Sequence, residues 1–479
     1  MLFLRQFNKQ QDFALTPPHS RMKKLFILFA ALFDVLLAFG QNTNELPKFS
    51  ADELKSDLVF LKQQVFNVHA NPFTELSQTQ YQKLFDDIES RITDSLTAVD
   101  FYRLVKPVVS YLSDEHAQIG YNGKLIGTYF TSSVFLPITL TKRGKDYVVD
   151  KTLTDVAGIV KGNVITQINN EPVNALVDRN IAYTTGFRGQ RLDKAMQQFG
   201  LWFGWSTSQP KVQYEVKTGS GKTIVVPGVD IKVWQKYLSA APVTSTAKLP
   251  LISYSLYKDA GYINANSFSI HNNREMDSIR NVLKTVFQKI NTDKPKYLFV
   301  DVSNNDGGNS EVGDAMIDYF SAKPYLNYQC NWRRSDEYLK LMQRWGIKDS
   351  VYAAKAAGTL IHFDAEQVFP SANNPLRYNG KVYIIVGNGT FSSAMMFATV
   401  IKDNKIAALA GQVPKNGHPS HFGEMYSVTL PNTKLPVRFG VKEWLRPAGK
   451  SVENFLRPDI NIDLSAGSNP EKLYGLLIK

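Results

Sequence analysis

The sequence predicts a multi-domain α/β protein: a helical N-terminal region, a small β domain and an α/β core. Three observations predict it. Residues 47–125 carry apolar positions at helical spacing. Residues 129–228 carry short alternating runs bounded by turn residues. From about 229 onward, β-branched apolar runs alternate with amphipathic helical runs, the pattern of crossover units and a mainly parallel sheet. With 479 residues, 43% hydrophobic and 12% aromatic, the chain has the material for roughly two to four domains.

The first 40 residues read as a secretory signal peptide, with Met22 an alternative start. "MKKLFILFAALFDVLLAFG" has a basic start (Lys23, Lys24), an apolar stretch and small residues near Gly40. Asp34 interrupts the apolar stretch, which is short for a spanning helix. The competing reading is a retained membrane anchor. Cleavage after Gly40 removes five basic and two acidic residues and takes the formal charge from +12 to +9. No dense Lys/Arg run with interleaved aromatics occurs, so the charge does not point to nucleic acid. The expectation is an exported protein, periplasmic or extracellular, with no stable membrane insertion after signal removal. A single cysteine, Cys330, excludes an internal disulfide and reads as a buried apolar residue. No cysteine stands directly after the apolar stretch, so a lipid-anchored form is not expected.

Region 41–128 is the helical one. "ADELKSDLVFLKQQVFNVH" places Leu54, Leu58, Leu61, Val65 and Val68 on one face, and Ser50 with Glu53 resembles a capping box. "AVDFYRLVKPVVSYL" is a second helix, kinked or interrupted near Pro107, leading into "SDEHAQIGY". Region 129–228 holds the short strands. Its segment "AGIVKGNVITQINNEPVNAL" resembles a PDZ domain through Gly162, Asn163, Ile165, Ile168, Asn169 and Val173. That resemblance implies peptide binding by strand addition. Region 229–479 is the core. "KYLFVDVSNN" and "KVYIIVG" are buried strands, "MDSIRNVLKTVFQKI" and "AMMFATVIKDN" helices, and "KIAALAGQ" a further strand.

Chemistry concentrates in three stretches. "NGTFSSAMM" puts Ser392 and Ser393 where a strand turns into a helix, at the end of the sheet where ligands bind in open α/β folds. Taken alone, Ser392 fits a helix cap better than a nucleophile. "LFVDVSNNDGGNSEV" ends a second strand in a glycine turn that can bring N–H groups close to a ligand. "LSDEHAQIGY" holds His116 in a compact acidic motif, and a serine nucleophile needs such a base.

Together these stretches resemble the family of serine peptidases that contains the C-terminal processing (tail-specific) proteases and the tricorn protease. "VDVSNNDGG" is similar to "D-L-R-x-N-x-G-G", "NGTFSSA" to "G-x-T-[AFY]-S-[AS]", and "AALAGQ" to "a-x-l-v-G-E". "SDEHAQI" is similar to "x-D-G-H-T-x-[IL]" of the tricorn-like branch, and "SVENFLRPDI" to the closing "x-x-E-x-x-G-V-x-P-D-I". The motifs run in family order from about residue 50 to 465. The resemblance implies a crotonase-like α/β catalytic core at 229–479, no cofactor and no metal. It implies Ser392 as nucleophile, His116 as base, Glu453 as the orienting carboxylate, and the N–H groups of Gly308 and Ser393 as the oxyanion hole. Substrates would be peptides or unfolded proteins. The lysine of the Ser–Lys branch would fall at Gly417, with Lys415 displaced, so the Ser–His–Glu arrangement is the expectation. Glu115 stands where tricorn has a serine, and His418 and His421 are rival bases. Gly417, Gln412 in place of a glutamate and Ser303 in place of an arginine motivate an alternative: a non-catalytic peptide-binding protein of the same fold.

Overall fold

The computed structural model describes residues 46–121, 129, 133–206, 212–239, 250–449, 453–464 and 467–478. The signal-peptide expectation at 1–40 lies outside them. The chain divides into two compact units. Among the described residues, one holds those from 46 to 239 and 425–440; the other holds those from 250 to 424 and from 441 to 478.

In the first unit three helices lead. Helix α1 (Ala51–Val68) starts at the expected capping box: Ser50 Oγ accepts from the Glu53 N–H, and Glu53 accepts from the Ser50 N–H at 2.8 Å. Helix α2 (Gln78–Ser90) repeats the device with Ser77 and Gln80. Helix α3 (Ala98–Ser110) contains Pro107 and runs on past it to Ser110. Pro107 has no N–H for the Arg103 carbonyl, and the Tyr183 hydroxyl donates to that carbonyl at 3.4 Å. A short strand, β1 (Gln118–Ile119), follows the His116 turn.

The β region contains a hairpin of β2 (Ile138–Arg143) and β3 (Asp146–Thr152). It also contains β4 (Ile165–Ile168), β5 (Glu171–Pro172), β6 (Gln213–Thr218) and β7 (Thr223–Pro227), in sheet order β7-β6-β4-β5. Strands β6 and β7 alternate exposed and buried residues, so one face packs inward. Three helices that the sequence pattern did not signal lie between β5 and β6: α4 (Val173–Ile181), α5 (Arg188–Gln197) and α6 (Phe199–Ser206). Phe199 and Phe203 join Ile165, Ile168, Leu176, Tyr214 and Val226 in the core of this region. Helix α7 (Ile231–Ser239) also belongs to this unit.

The second unit is built on a six-stranded sheet. Strand β8 (Ile252–Tyr257) is antiparallel at one edge to β9 (Ala260–Ala265). Then β10 (Tyr297–Asp301), β11 (Lys381–Val386), β12 (Ala408–Gly411) and β13 (Ile460–Asn461) follow in parallel, in chain order. Every parallel crossover steps the same way, so right-handed connections put the intervening helices on one face. These helices include α8 (Asn273–Asp293), α9 (Ser310–Ile317) and α10 (Ser392–Asp403). The pleat agrees. Leu298, Val300, Ile384 and Val386 pack with Leu283, Phe287, Met316, Met395 and Phe397 of those helices. Their neighbours Phe299, Tyr383 and Ile385 point the other way, into a core closed by Leu473 of α11 (Pro470–Leu477). Each such fully buried side chain contributes roughly 1.5–3 kcal/mol. An antiparallel pair, Gln329–Arg333 with residues 442–445, lies in the same unit.

Candidate active site

Strands β10 and β11 run side by side with Asp301 opposite Ile385. The turns leaving their carboxyl ends, 302–309 and 387–391, therefore adjoin. Backbone bonds stitch them: Val302 N–H to Ile385 O at 3.0 Å, Gly389 N–H to Ser303 O at 2.9 Å, and Phe391 N–H to Asn305 O at 3.0 Å. The buried Thr390 hydroxyl donates to Val302 O at 2.8 Å. The buried Asn305 amide donates to Ala265 O, and its carbonyl accepts from the Gly307 N–H, both at 2.8 Å. Asp301 starts the turn, accepting from Ser303 N–H and Tyr262 Oη at 2.8 Å and from Ser468 Oγ. Ser303 is thus a buried part of this support.

Ser392 opens α10 with φ of 51°, in the left-handed region. That conformation costs a non-glycine residue roughly 1–2 kcal/mol. The N-cap is Phe391, which supplies no side-chain cap, so neither serine caps the helix. Ser393 Oγ donates instead to the Gly308 carbonyl at 2.6 Å. Ser392 Oγ is half-buried and makes no hydrogen bond among the described residues.

The glycine turn fits against this serine. A Cβ on Gly307 would stand 2.7 Å from Ser392 Cβ and 2.9 Å from the Ser393 nitrogen. One on Gly308 would stand 2.2 Å from the Phe268 carbonyl. Their φ values of 96° and 139° independently favour glycine. The amide nitrogens of Gly308 and Ser393 have no acceptor among the described residues. Ser392, Ser393 and Gly308 are therefore brought together: a strained hydroxyl beside two open N–H groups.

His116 belongs to the other unit, in the turn after α3. Its neighbour there is Asp114, two residues before it in the same motif. Asp114 is wholly buried. Its Oδ1 accepts from the His116 N–H at 2.8 Å and faces His116 Nδ1 at 3.7 Å. Its Oδ2 accepts from the Gly440 N–H at 2.7 Å and faces His69 Nε2 at 3.6 Å. Burial pushes the Asp114 carboxyl up, but the neighbouring His116 and His69 side chains outweigh it and hold the group well below the usual carboxylate range.

The remaining candidates sit as follows. Glu453 is exposed and held by Arg457 in a two-point ion pair, at 2.8 and 2.6 Å. Hydrogen bonding to Arg457 lowers its pKa. Gly417 is buried, and a Cβ there would lie 3.2 Å from both Phe391 and the Thr390 carbonyl. The position where a lysine would serve the Ser392 turn is thus beside it, but carries no side chain; Lys415 is exposed. His418 and His421 are buried, with His421 Nδ1 facing the His418 carbonyl at 2.9 Å. Gln412 Nε2 donates to Asp463 at 3.0 Å. Among the described residues no group of three His, Cys, Asp or Glu side chains is placed to hold a metal. No described helix is long and apolar enough to cross a membrane.

Residues 259–462 match the family model described as peptidase family S41. No curated protein matches the chain. Among solved structures, mature CPAF is similar with a TM-score of 0.53 and 14% identity, covering 87% of this chain and 93% of that one. Mature CPAF complexed with lactacystin gives 0.53 and 15%, covering 87% and 94%. The photosystem II D1 C-terminal processing protease gives 0.41 and 14%, covering 87% and 94%. At these identities the CPAF likeness is one of fold.

Proposed function

We propose, on the premise that the chain carries the serine-peptidase domain of family S41 across residues 259–462, that it is an exported endopeptidase acting through an acyl-enzyme on Ser392. The observation that carries the reading is the Ser392 turn. A serine held at φ 51°, not spent on capping, lies against a glycine turn with two open amides. Strain of this kind persists only where surrounding structure imposes it, and it gathers at functional sites.

The roles follow from acyl transfer. His116 removes the Ser392 proton as Oγ attacks the peptide carbonyl carbon. The carbonyl oxygen becomes an oxyanion held by the N–H groups of Gly308 and Ser393. The C–N bond then breaks, and His116 returns the proton to the departing amine. Water repeats the sequence on the ester, releasing the acid and restoring Ser392. Removing one oxyanion donor costs about 2.7–4 kcal/mol in the transition state. The family resemblance points to Glu453 for the orienting carboxylate, which here is held in an ion pair by Arg457. The PDZ-like region at 129–228 would hold an extended peptide by strand addition at a sheet edge. The basic, apolar N-terminal stretch supports export. The glycine at 417 motivates the non-catalytic alternative, and the strain maintained at Ser392 argues against it.

The test incubates mature protein, from Gln41 onward, and its Ser392→Ala variant with a mixed peptide library read by mass spectrometry. Cleavage by the unaltered protein alone supports the reading. Cleavage by both overturns Ser392 as nucleophile, and silence from both favours the non-catalytic protein.

A further inference from the structure

We infer that Asp114 is the carboxylate that positions the His116 imidazole, with His69 holding Asp114 from behind. This deepens the proposed function, because it rests on His116 being the base. The chain reaches Asp114 through Ser113, whose φ is 52°, a left-handed reversal directly after α3. The Ala117 N–H closes the turn on the Asp114 carbonyl at 3.2 Å. Each carboxylate oxygen then meets one backbone N–H and one imidazole, as the contacts with His116, Gly440 and His69 show. His69 is wholly buried, and its Nδ1 accepts from the Asn71 N–H at 3.2 Å. Its ring proton therefore sits on Nε2, the nitrogen that faces Asp114. Arg438, on the strand that pairs with β1, adds positive charge nearby: its own pKa is lowered by burial and raised in part by Asp114.

The consequence for His116 is a fixed tautomer. A charged carboxylate 3.7 Å from Nδ1 favours the proton there and makes Nε2 the ring's acceptor nitrogen. A general base needs that form. A wholly buried carboxylate without donors would take up a proton instead; the two amide hydrogen bonds, with the two imidazoles facing the carboxylate, keep Asp114 ionised. Glu453, exposed and paired with Arg457, offers no such enclosure.

The experiment compares mature protein with Asp114→Asn and His69→Gln variants, with Ser392→Ala as the blank. Steady-state kinetics use a peptide the unaltered protein cleaves. Nitrogen-15 imidazole NMR on histidine-labelled protein reads the His116 tautomer without any need for activity. Asp114→Asn is expected to lower kcat on the order of a thousandfold with KM little changed, and to shift His116 away from the Nδ1–H form. His69→Gln leaves both backbone contacts of Asp114 in place and gives a second route if Asp114→Asn does not fold; about a tenfold fall in kcat and a partial tautomer shift are expected. Unchanged kcat, or a fall in kcat with the His116 signals unmoved, overturns the inference. If the unaltered protein cleaves nothing, a tautomer shift on Asp114→Asn still upholds the positioning while the proposed function falls.

Discussion

The Ser392 turn and the His116 turn solve one problem in opposite ways. Each reverses the chain at a left-handed serine, Ser392 in one case and Ser113 in the other. Around Ser392 the structure is made of backbone: adjoining turns, two glycines at positive φ and amide–carbonyl bonds. Around His116 it is made of buried charge: Asp114 between two imidazoles, with Arg438 nearby. Geometry built from backbone responds to sterics, whereas geometry built from charge responds to pH.

That contrast can be broken by substitution. The largest effect is expected from Ser392→Ala, a loss on the order of a million-fold in turnover, measured with the cleaved peptide, with the fold retained by circular dichroism. Gly307→Ala drives a methyl into Ser392 and distorts the amides beside it. The expected fall in kcat is about 100–1000-fold, at every pH tested. A pH-dependent fall would mean that the Ser392 turn also depends on charge.

Stability in the unit that holds His116 should follow pH. Burial lowers Lys106 from an ordinary lysine value to about 7, with Lys194 adding repulsion. The unfolded chain therefore binds the extra proton between about pH 7 and 10.5, and stability rises with pH across that window. Lys106→Met is expected to raise stability at pH 7 by roughly 2–4 kcal/mol. The gain should shrink towards pH 10, as read by urea unfolding. Asp114 has the opposite arrangement. Its folded pKa is depressed, so its contribution is present above the ordinary carboxylate value and lost as pH falls below it. Asp114→Asn should cost about 1–3 kcal/mol at pH 7 and progressively less below about pH 4. A constant penalty across pH would remove charge from the account of this turn. The smallest effect is at the strained serine: Ser392→Gly should be about 1 kcal/mol more stable than Ser392→Ala, since glycine accepts the positive φ freely.

Sequence periodicity anticipated the α/β core because its signals are local. "KYLFVDV" and "KVYIIV" are continuous apolar runs that became β10 and β11, buried on both faces. The Ser392 turn was readable for the same reason: glycines and serines within a few residues carry its geometry. Helices α4 and α5 were missed because Pro172 and Phe187 sit at their N-caps and make no side-chain cap. Helix α6, "FGLWFGWS", is apolar all round and has no period to detect. Asp114 was missed for a different reason. Its partners at 69 and 440 are distant in the chain, and only the fold assembles them. Glu453 came from the family resemblance, and nothing in the sequence announced its pairing with Arg457.

The central claim is that Ser392 is an activated hydroxyl. The most direct test treats mature protein with a fluorophosphonate, which modifies activated serines, and maps the adduct by mass spectrometry. The account predicts a single adduct on Ser392, formed much more slowly in His116→Ala. No adduct, or one on Ser393, would contradict it.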